Sequence, residues 1–260
     1  IPVLEGYHPA NLNPVPDLVI VGNVITKLNL EAIELSRRKI PYLSMPQALT
    51  QFAMKDKRSI VVCGTHGKTT TTALAAWILE KADMQPSFMV GGIPNNFESN
   101  FQLGNGPYFV IEGDEYDTAF FDKGPKFMHY DPSLAVLTSV EFDHADIFSD
   151  LDHVITIFDR FISGLSKESV LIACNGDEII ENLVADRKCR IERYGAGFEA
   201  DWRLGDVSIQ APWTSFELAK QDKLYATFKT RIFGIHNICN AAAAIAIADH
   251  LMLPTEAISR

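Results

Sequence analysis

The fold of this chain is decided by the stretch Ser59-Ile60-Val61-Val62-Cys63-Gly64-Thr65-His66-Gly67-Lys68-Thr69-Thr70. Its first five residues are mostly apolar, which predicts a short buried β-strand. A turn with two glycines follows, and a helical pattern then runs from Lys68 to about Ala82. A strand that passes through a glycine-containing turn into a helix is the building unit of parallel α/β sheets.

The turn from Gly64 to Thr70 has the composition of a phosphate-binding loop. Glycines let backbone N–H groups face a phosphate, and the start of the helix adds its positive end. Lys68 supplies a charge for the β and γ phosphates, and the Thr69 hydroxyl can complete a Mg²⁺ shell. The loop departs from the usual pattern because only two residues separate its glycines. The alternative is a strand-to-helix turn that binds no ligand.

Strands and helices alternate on both sides of this loop. Before it, Asn29 is the expected N-cap of a helix, and the apolar runs after it are typical of core strands. We therefore predict an α/β fold with a three-layer, mostly parallel sheet. The expected strands are 17–21, 41–43, 59–63, 87–90, 108–111, 134–138 and 169–173, the expected helices are 29–39, 47–54, 68–82, 151–165 and 237–251, and antiparallel strands are expected within 189–233.

A charged stretch at residues 55–58 separates two units. We predict a partial Rossmann-like domain at residues 1–56 and a larger phosphate-loop domain at residues 57–260.

Acidic residues follow two of the predicted strands. Strand 108–111 leads into Glu112-Gly113-Asp114-Glu115-Tyr116-Asp117, and strand 134–138 leads into Ser139-Val140-Glu141-Phe142-Asp143-His144-Ala145-Asp146. Ligands of open α/β sheets bind beyond the carboxyl ends of the strands, so both clusters should face the crevice of the phosphate loop. Carboxylates can hold Mg²⁺ there, and an imidazole can bind a second metal or orient a carboxylate. The alternative is that these acids are helix caps on a solvated rim.

A third cluster precedes the last helix. Asn237 and Asn240 lie one turn apart at its N-terminus, directly after His236. Amide side chains donate and accept, which suits the edge of adenine. We favour Asn240 for the base, and the alternative for Asn237 is a plain N-cap.

Composition narrows the class of protein. The net charge of −10 argues against a nucleic-acid partner. No apolar run approaches the roughly 18 residues of a membrane span, so we expect a cytoplasmic protein without a membrane partner. Cys63, Cys174, Cys189 and Cys239 have spacings of neither a metal site nor a disulfide framework, so we expect reduced thiols.

These motifs resemble those of the Mur ligases, ATP-dependent enzymes that join amino acids or peptides to UDP-N-acetylmuramic acid. The short loop is similar, with a histidine at the position of His66. Ile-Glu-Gly-Asp-Glu is similar to a motif whose first acid, here Glu112, binds Mg²⁺, although relatives usually carry Ala in place of Gly113. The motif at Glu141 to Asp146 places a second metal contact on His144. Gly-x-His-Asn-x-x-Asn, ending at Asn240, is similar to a motif that contacts ATP.

The resemblance implies ATP and Mg²⁺ as cofactors. It implies catalytic roles for Lys68, Glu112 and His144, metal contacts for Thr69, Glu112 and His144, and nucleotide contacts along the loop and at His236, Asn237 and Asn240. Residues 1–56 would be the back part of a UDP-sugar-binding domain, with Asn23 near the sugar nucleotide, and residues 57–260 the central ATP-binding domain. The start of the first domain and a C-terminal domain would be missing, so we expect residues 1–260 alone to be inactive.

The segment from Asp114 to Tyr130 separates subfamilies. It is similar to that of the members that add the tripeptide L-Ala-γ-D-Glu-meso-diaminopimelate to UDP-N-acetylmuramate during peptidoglycan recycling. The resemblance then implies these two substrates and an acyl phosphate intermediate. Alternatives are a ligase that adds L-alanine, another ligase of the superfamily such as a folylpolyglutamate-type enzyme, a phosphate-loop kinase or NTPase, and a non-catalytic binding module.

Overall fold

The computed structural model describes residues 2–143 and 148–259. Strands and helices alternate along most of this length. The strands are β1 (Val19–Val21), β2 (Tyr42–Ser44), β3 (Arg58–Cys63), β4 (Ser87–Met89), β5 (Phe101–Gln102), β6 (Tyr108–Gly113), β7 (Asp117–Ala119), β8 (Asp122–Pro125), β9 (Pro132–Leu137), β10 (Val170–Cys174), β11 (Arg190–Gly195), β12 (Trp202–Gln210), β13 (Trp213–Lys220) and β14 (Lys223–Thr230). The helices are α1 (Leu30–Arg38), α2 (Met45–Ala48, continued by a π turn over Leu49–Ala53), α3 (Lys68–Lys81), α4 (Leu151–Ser163), α5 (Glu178–Val184), α6 (Ile235–His250) and α7 (Thr255–Ile258).

In the described part of the chain, ten strands form one sheet in the order β14-β13-β12-β11-β10-β9-β3-β6-β4-β5. The run from β12 to β4 is parallel throughout. The outer strands β13, β14 and β5 are antiparallel to their neighbours. The predicted α/β fold with a mostly parallel sheet is therefore confirmed.

One part of that prediction is wrong. The stretch 189–233 was expected to be antiparallel, but β11 pairs in parallel with both β10 and β12. The reason is α5, a helix that the periodicity did not reveal. It carries the chain back across the sheet, so β11 enters in the same direction as β10. Antiparallel pairing begins only at β12.

Helices cover both faces of the sheet, which gives three layers. Along β3, Ile60 and Val62 point into a core that includes residues of α3 and α6. Val61 and Cys63 point into the opposite core, which includes residues of α4 and α5. All four side chains are completely buried, two in each core. Because neither face of β3 meets solvent, its sequence is a continuous apolar run. Such a strand lies at the centre of the fold.

The alanine-rich helix α6 is almost completely buried along its middle. Residues 240–248 of this helix are all below one-tenth exposed. Alanine side chains are short, so the helix can lie close to the sheet and to α3. This packing brings the start of α6 beside the start of α3.

A smaller unit precedes β3. Its strands β1 and β2 pair in parallel, apart from the large sheet, and α1 follows β1. Asn29 caps α1 as predicted, because its side-chain oxygen accepts from the backbone N–H groups of Glu31 and Ala32. The division into domains at residues 56 and 57 stays a prediction.

The core of this smaller unit is completed from outside it. Strands β7 and β8 form a hairpin, and at its turn Phe120 and Phe121 pack against the cluster of Leu12, Val21, Leu35 and Ile40. The ring of Phe121 lies 4.7 Å from that of Tyr42, edge to face. Phe127 and Tyr130, which follow the hairpin, are buried. These four aromatic residues therefore have packing roles.

The four cysteines are free thiols. Burial raises the pKa of Cys174 to about 11 and raises the pKa values of the other three as well. Thiols with raised pKa values are poor nucleophiles and poor metal ligands at neutral pH. The expectation of reduced thiols agrees with this environment.

Candidate nucleotide site

The phosphate loop lies where β3 ends and α3 begins, at the centre of the parallel sheet. Strand β3 has β6 on one side and β9 on the other. The acidic segment that begins at Glu112 and the segment that begins at Thr138 therefore leave the sheet at the same edge as the loop. This is the position at which open α/β sheets bind ligands.

The loop is held in shape by the segment after β9. The backbone N–H of Thr65 donates to Ser139 O over 2.9 Å, and the N–H of His66 donates to Ser139 Oγ over 2.8 Å. Gly64 has φ +131, and a Cβ there would stand 2.2 Å from Thr138 Oγ1. Gly64 is thus required by both backbone conformation and space. Sequence reasoning gave Ser139 no role, and its pairing with the loop depends on strand order.

Gly67 places the end of the loop against α6. It is the N-cap of α3, with φ +84. A Cβ at Gly67 would stand 2.6 Å from Asn240 Oδ1, so the two residues are in close contact. Because glycine has no side chain to cap the helix, the first N–H groups of α3 are left for a ligand.

Lys68 is directed inward in this structure. Its ammonium donates to Gly64 O over 2.6 Å, to Thr65 O over 3.1 Å and to Glu115 Oε2 over 2.9 Å. The side chains of Lys68 and Glu115 are only 10% and 2% exposed. Sequence reasoning missed Glu115, although it lies within the acidic motif. The lysine is fixed beside the loop by a buried ion pair.

Glu112 joins the loop to the neighbouring strand. Its Oε2 accepts from Thr69 Oγ1 over 3.1 Å, and its Oε1 accepts from the N–H of Gly91 over 2.6 Å. Burial raises the pKa of Glu112, and the nearby charge of Asp114 raises it further, whereas the hydrogen bond from Gly91 opposes the shift. A buried carboxylate whose pKa is raised gains most from a cation.

These oxygen donors fit a magnesium ion. Thr69 Oγ1 and Glu112 Oε2 already lie 3.1 Å apart, and Mg²⁺ prefers one or two protein oxygen ligands together with phosphates and water. Among the described residues there is no cluster of three or more metal-binding His, Cys, Asp or Glu side chains. Such a cluster is not required for this mode of binding. His144, the other predicted metal contact, lies outside the described residues.

The remaining predicted nucleotide contacts lie around the loop. His66 is exposed, with Nε2 3.9 Å from Glu141 Oε2. His236 is also exposed, and Asn237 donates to Phe233 O over 2.8 Å from the first turn of α6. Gly234, not Asn237, is the N-cap of α6. Thr70 lines a cleft of about 800 Å³ between α3, α6 and the antiparallel strands.

Two further acids of these clusters form ion pairs with lysines. Asp114 pairs with Lys126 over 2.7 Å, and Asp117 pairs with Lys123 over 2.6 Å. Neither Asp114 nor Asp117 is the N-cap of a helix, so the capping part of that alternative is wrong for these two residues. Asp146 lies outside the described residues.

A second cavity, of about 480 Å³, lies next to Glu112. Gly22 and Asn23 of the smaller unit line it from one side. Glu112, Asp114 and Lys126 line it as well. Because Glu112 also contacts Thr69 of the phosphate-loop helix, the cavity adjoins the loop.

Comparison with known families agrees with this geometry. The family described as "Mur ligase middle domain" matches residues 62–248. This range includes the phosphate loop, the acidic motif and most of α6. The chain belongs to the Mur ligase family.

Two groups of Mur ligases are similar in sequence. A UDP-N-acetylmuramate–L-alanyl-γ-D-glutamyl-meso-2,6-diaminoheptandioate ligase of Escherichia coli (strain K12) is 38% identical over 96% of this chain and 54% of its own length. A UDP-N-acetylmuramate–L-alanine ligase of Desulforamulus reducens is 33% identical over 98% of this chain and 54% of its own length. The chain therefore spans about half the length of these relatives.

Solved structures show the same Mur ligase fold. The UDP-N-acetylmuramate:L-alanyl-γ-D-glutamyl-meso-diaminopimelate ligase from Neisseria meningitides superimposes with a TM-score of 0.89 at 34% identity, over 98% of this chain and 81% of that one. A UDP-N-acetylmuramate-alanine ligase from Thermotoga maritima has a TM-score of 0.80 at 24% identity, over all of this chain and 56% of that one.

Within the described residues, no helix is both long and apolar enough to cross a bilayer.

Proposed function

We propose that this chain is the nucleotide-binding part of an ATP-dependent ligase that joins L-Ala-γ-D-Glu-meso-diaminopimelate to UDP-N-acetylmuramate, as in peptidoglycan recycling. The observation that supports this proposal most directly is the position of Glu112. It contacts the first turn of the phosphate-loop helix through Thr69 and also lines the second cavity. ATP at the phosphate loop and the UDP-sugar acceptor in the second cavity would then both lie next to Glu112.

The proposed reaction has two steps. A carboxylate oxygen of the acceptor attacks the γ-phosphorus of ATP, and ADP leaves, which gives an acyl phosphate. The amine of the tripeptide then attacks the acyl carbon, phosphate leaves and the nitrogen loses a proton. Lys68 and the first N–H groups of α3 stabilise the charge on the phosphates. Magnesium held by Glu112 and Thr69, with His144 as a further predicted ligand, would neutralise phosphate oxygens.

The relatives support the tripeptide as the amine substrate. Two relatives named for the tripeptide are 38% and 36% identical, and six relatives named for L-alanine are 31% to 34% identical. L-Alanine is therefore the second candidate substrate. We place the UDP-sugar contacts in residues 1–56, the ATP contacts in residues 57–260, and the enzyme in the cytoplasm.

Nucleotide titration of residues 1–260 tests the first half of this proposal. ATP should bind more tightly with Mg²⁺, and Lys68→Met should weaken binding about 10- to 100-fold, as expected for a lost charge-assisted contact. Lys81→Met is the matched control, because Lys81 ends the same helix about 20 Å away. Equal affinities in wild type and Lys68→Met would refute a phosphate site at this loop.

Amide formation tests the second half and uses the full-length protein. With ATP and UDP-N-acetylmuramate present, tripeptide and L-alanine are offered in competition. Preferential incorporation of the tripeptide supports the proposal. Preferential incorporation of L-alanine would replace it with the second candidate, and ATP hydrolysis without either amide product would contradict both.

A further inference from the structure

The second cavity carries negative charge, which is unfavourable for binding an anionic acceptor. Two of the residues that line it, Glu112 and Asp114, are acids. An acceptor that carries a carboxylate would be repelled by them, and the repulsion is strong where water is partly excluded. The magnesium ion proposed at Glu112 would offset one of these acids, so an anion in this cavity needs a further cation beside Asp114.

Lys126 is the one cationic side chain among the described residues that line the cavity. Its side chain is 23% exposed, so it is reachable from the cavity. In this structure its ammonium donates to Asp114 Oδ2 over 2.7 Å. An ammonium group has three N–H donors, so Lys126 can bind a second carboxylate while it keeps this bond.

The hairpin fixes Lys126 in this place. Strands β7 and β8 carry the chain out and back, and the N–H of Lys126 then donates to Asp114 O over 3.0 Å. The ammonium also lies 5.0 Å from the centre of the Tyr116 ring. A side chain that is held at its backbone and at its head group loses little further entropy when it binds a ligand.

We propose, on the basis of the function proposed above, that Lys126 binds the lactyl carboxylate of the UDP-N-acetylmuramate acceptor. The ammonium offsets the repulsion from Asp114, and the magnesium proposed at Glu112 would offset that of the other acid. The bond from Lys126 also orients the carboxylate towards the phosphate loop, which lies on the other side of Glu112. The segment from Asp114 to Tyr130, identified from sequence only as a subfamily marker, thereby has a substrate-binding role.

Acceptor binding to the full-length protein tests this role. Lys126→Met should weaken the binding of UDP-N-acetylmuramate about 10- to 100-fold, the effect of one lost charge-assisted hydrogen bond. It should leave the binding of UDP-N-acetylglucosamine, which lacks the lactyl carboxylate, unchanged within about threefold. Lys126→Arg should restore most of the affinity. Lys123→Met is the matched control, because Lys123 lies on the same hairpin in an exposed ion pair with Asp117.

A second variant separates substrate binding from a structural role. Lys126→Met leaves Asp114, whose side chain is only 16% exposed, without its ion pair. Asp114→Asn/Lys126→Met removes both charges. Loss of the Asp114 repulsion should restore part of the affinity, but the bond from Lys126 is still missing, so acceptor binding should stay weaker than in wild type. Full recovery of wild-type affinity in the double variant would overturn the proposal, as would equal losses for the two UDP-sugars or no loss at all. If wild-type protein fails to bind UDP-N-acetylmuramate, the proposed function itself is refuted.

Discussion

The ion pair between Lys68 and Glu115 should dominate the stability of the phosphate loop when no nucleotide is bound. Lys68→Met removes the cation that lies 2.9 Å from the Glu115 carboxylate, whose side chain is only 2% exposed. Breaking one side of a buried pair in this way costs about 3–5 kcal/mol. Lys68→Met/Glu115→Gln removes both charges, so we expect it to be roughly 3 kcal/mol more stable than Lys68→Met. The same rule gives Glu115→Gln a cost of about 3–5 kcal/mol, so the coupling energy between the two residues should exceed roughly 3 kcal/mol.

Urea denaturation of the four proteins in this cycle measures the coupling directly. Both Lys68 variants lose the hydrogen bonds from the ammonium to Gly64 O and Thr65 O, so that loss cancels between them. The exposed pair of Lys123 and Asp117 is the control, with an expected coupling below about 1 kcal/mol. If Lys68→Met and its double variant unfold at the same free energy, Glu115 is not the charged partner of Lys68 and the reasoning is wrong.

Three further predictions concern the site and the hairpin. Glu112→Gln should stabilise the fold at pH 7, because burial raises the pKa of Glu112 in the folded state. Thermal unfolding should show this gain in stability shrinking as the pH falls and vanishing below about pH 4, where the carboxyl is protonated in both the folded and the unfolded state. In a separate titration, the binding of ATP to Glu112→Gln should no longer depend on Mg²⁺. Gly67→Ala should cost about 1–3 kcal/mol in chemical denaturation, because its Cβ would meet Asn240 Oδ1 at a positive φ, whereas Gly124→Ala, with nothing within 4 Å, should stay within about 0.5 kcal/mol. Phe121→Ala should speed hydrogen exchange in β1 and α1 but not in β3, because it removes part of the smaller unit's core at a cost of about 2 kcal/mol; equal protection in both proteins would contradict that role.

Local patterns predicted much of the fold and the centre of the site. Asn29 caps α1, and α3 begins at Lys68, because capping and glycine conformation depend on neighbours within a few residues. The strand that leads into Glu112 ends with its carboxylate at the loop, since strand ends in a parallel sheet share one edge. The same argument does not extend to strand order, which is set by packing between distant segments.

Two features of the fold were not predicted correctly, because local patterns do not reveal how strands pair. Strand β11 was expected to be antiparallel because α5 is short, and its crossover direction is invisible in the periodicity of residues 178–184. The hairpin of β7 and β8 was missed because its strands have three and four residues. Such short strands carry too few alternating positions to indicate a sheet.

Residues 59–81 specify their own strand, loop and helix, because the interactions that form these elements are local. Which side chains meet around the loop depends on how distant parts of the chain pack. Glu115 reaches Lys68 from 47 positions along the chain, and Ser139 reaches His66 from 73, because β6 and β9 flank β3. Lys126 faces Asp114 because a hairpin folds back between them. Strand order and hairpin pairing depend on burial summed over many distant contacts, and no local stretch of residues contains that sum.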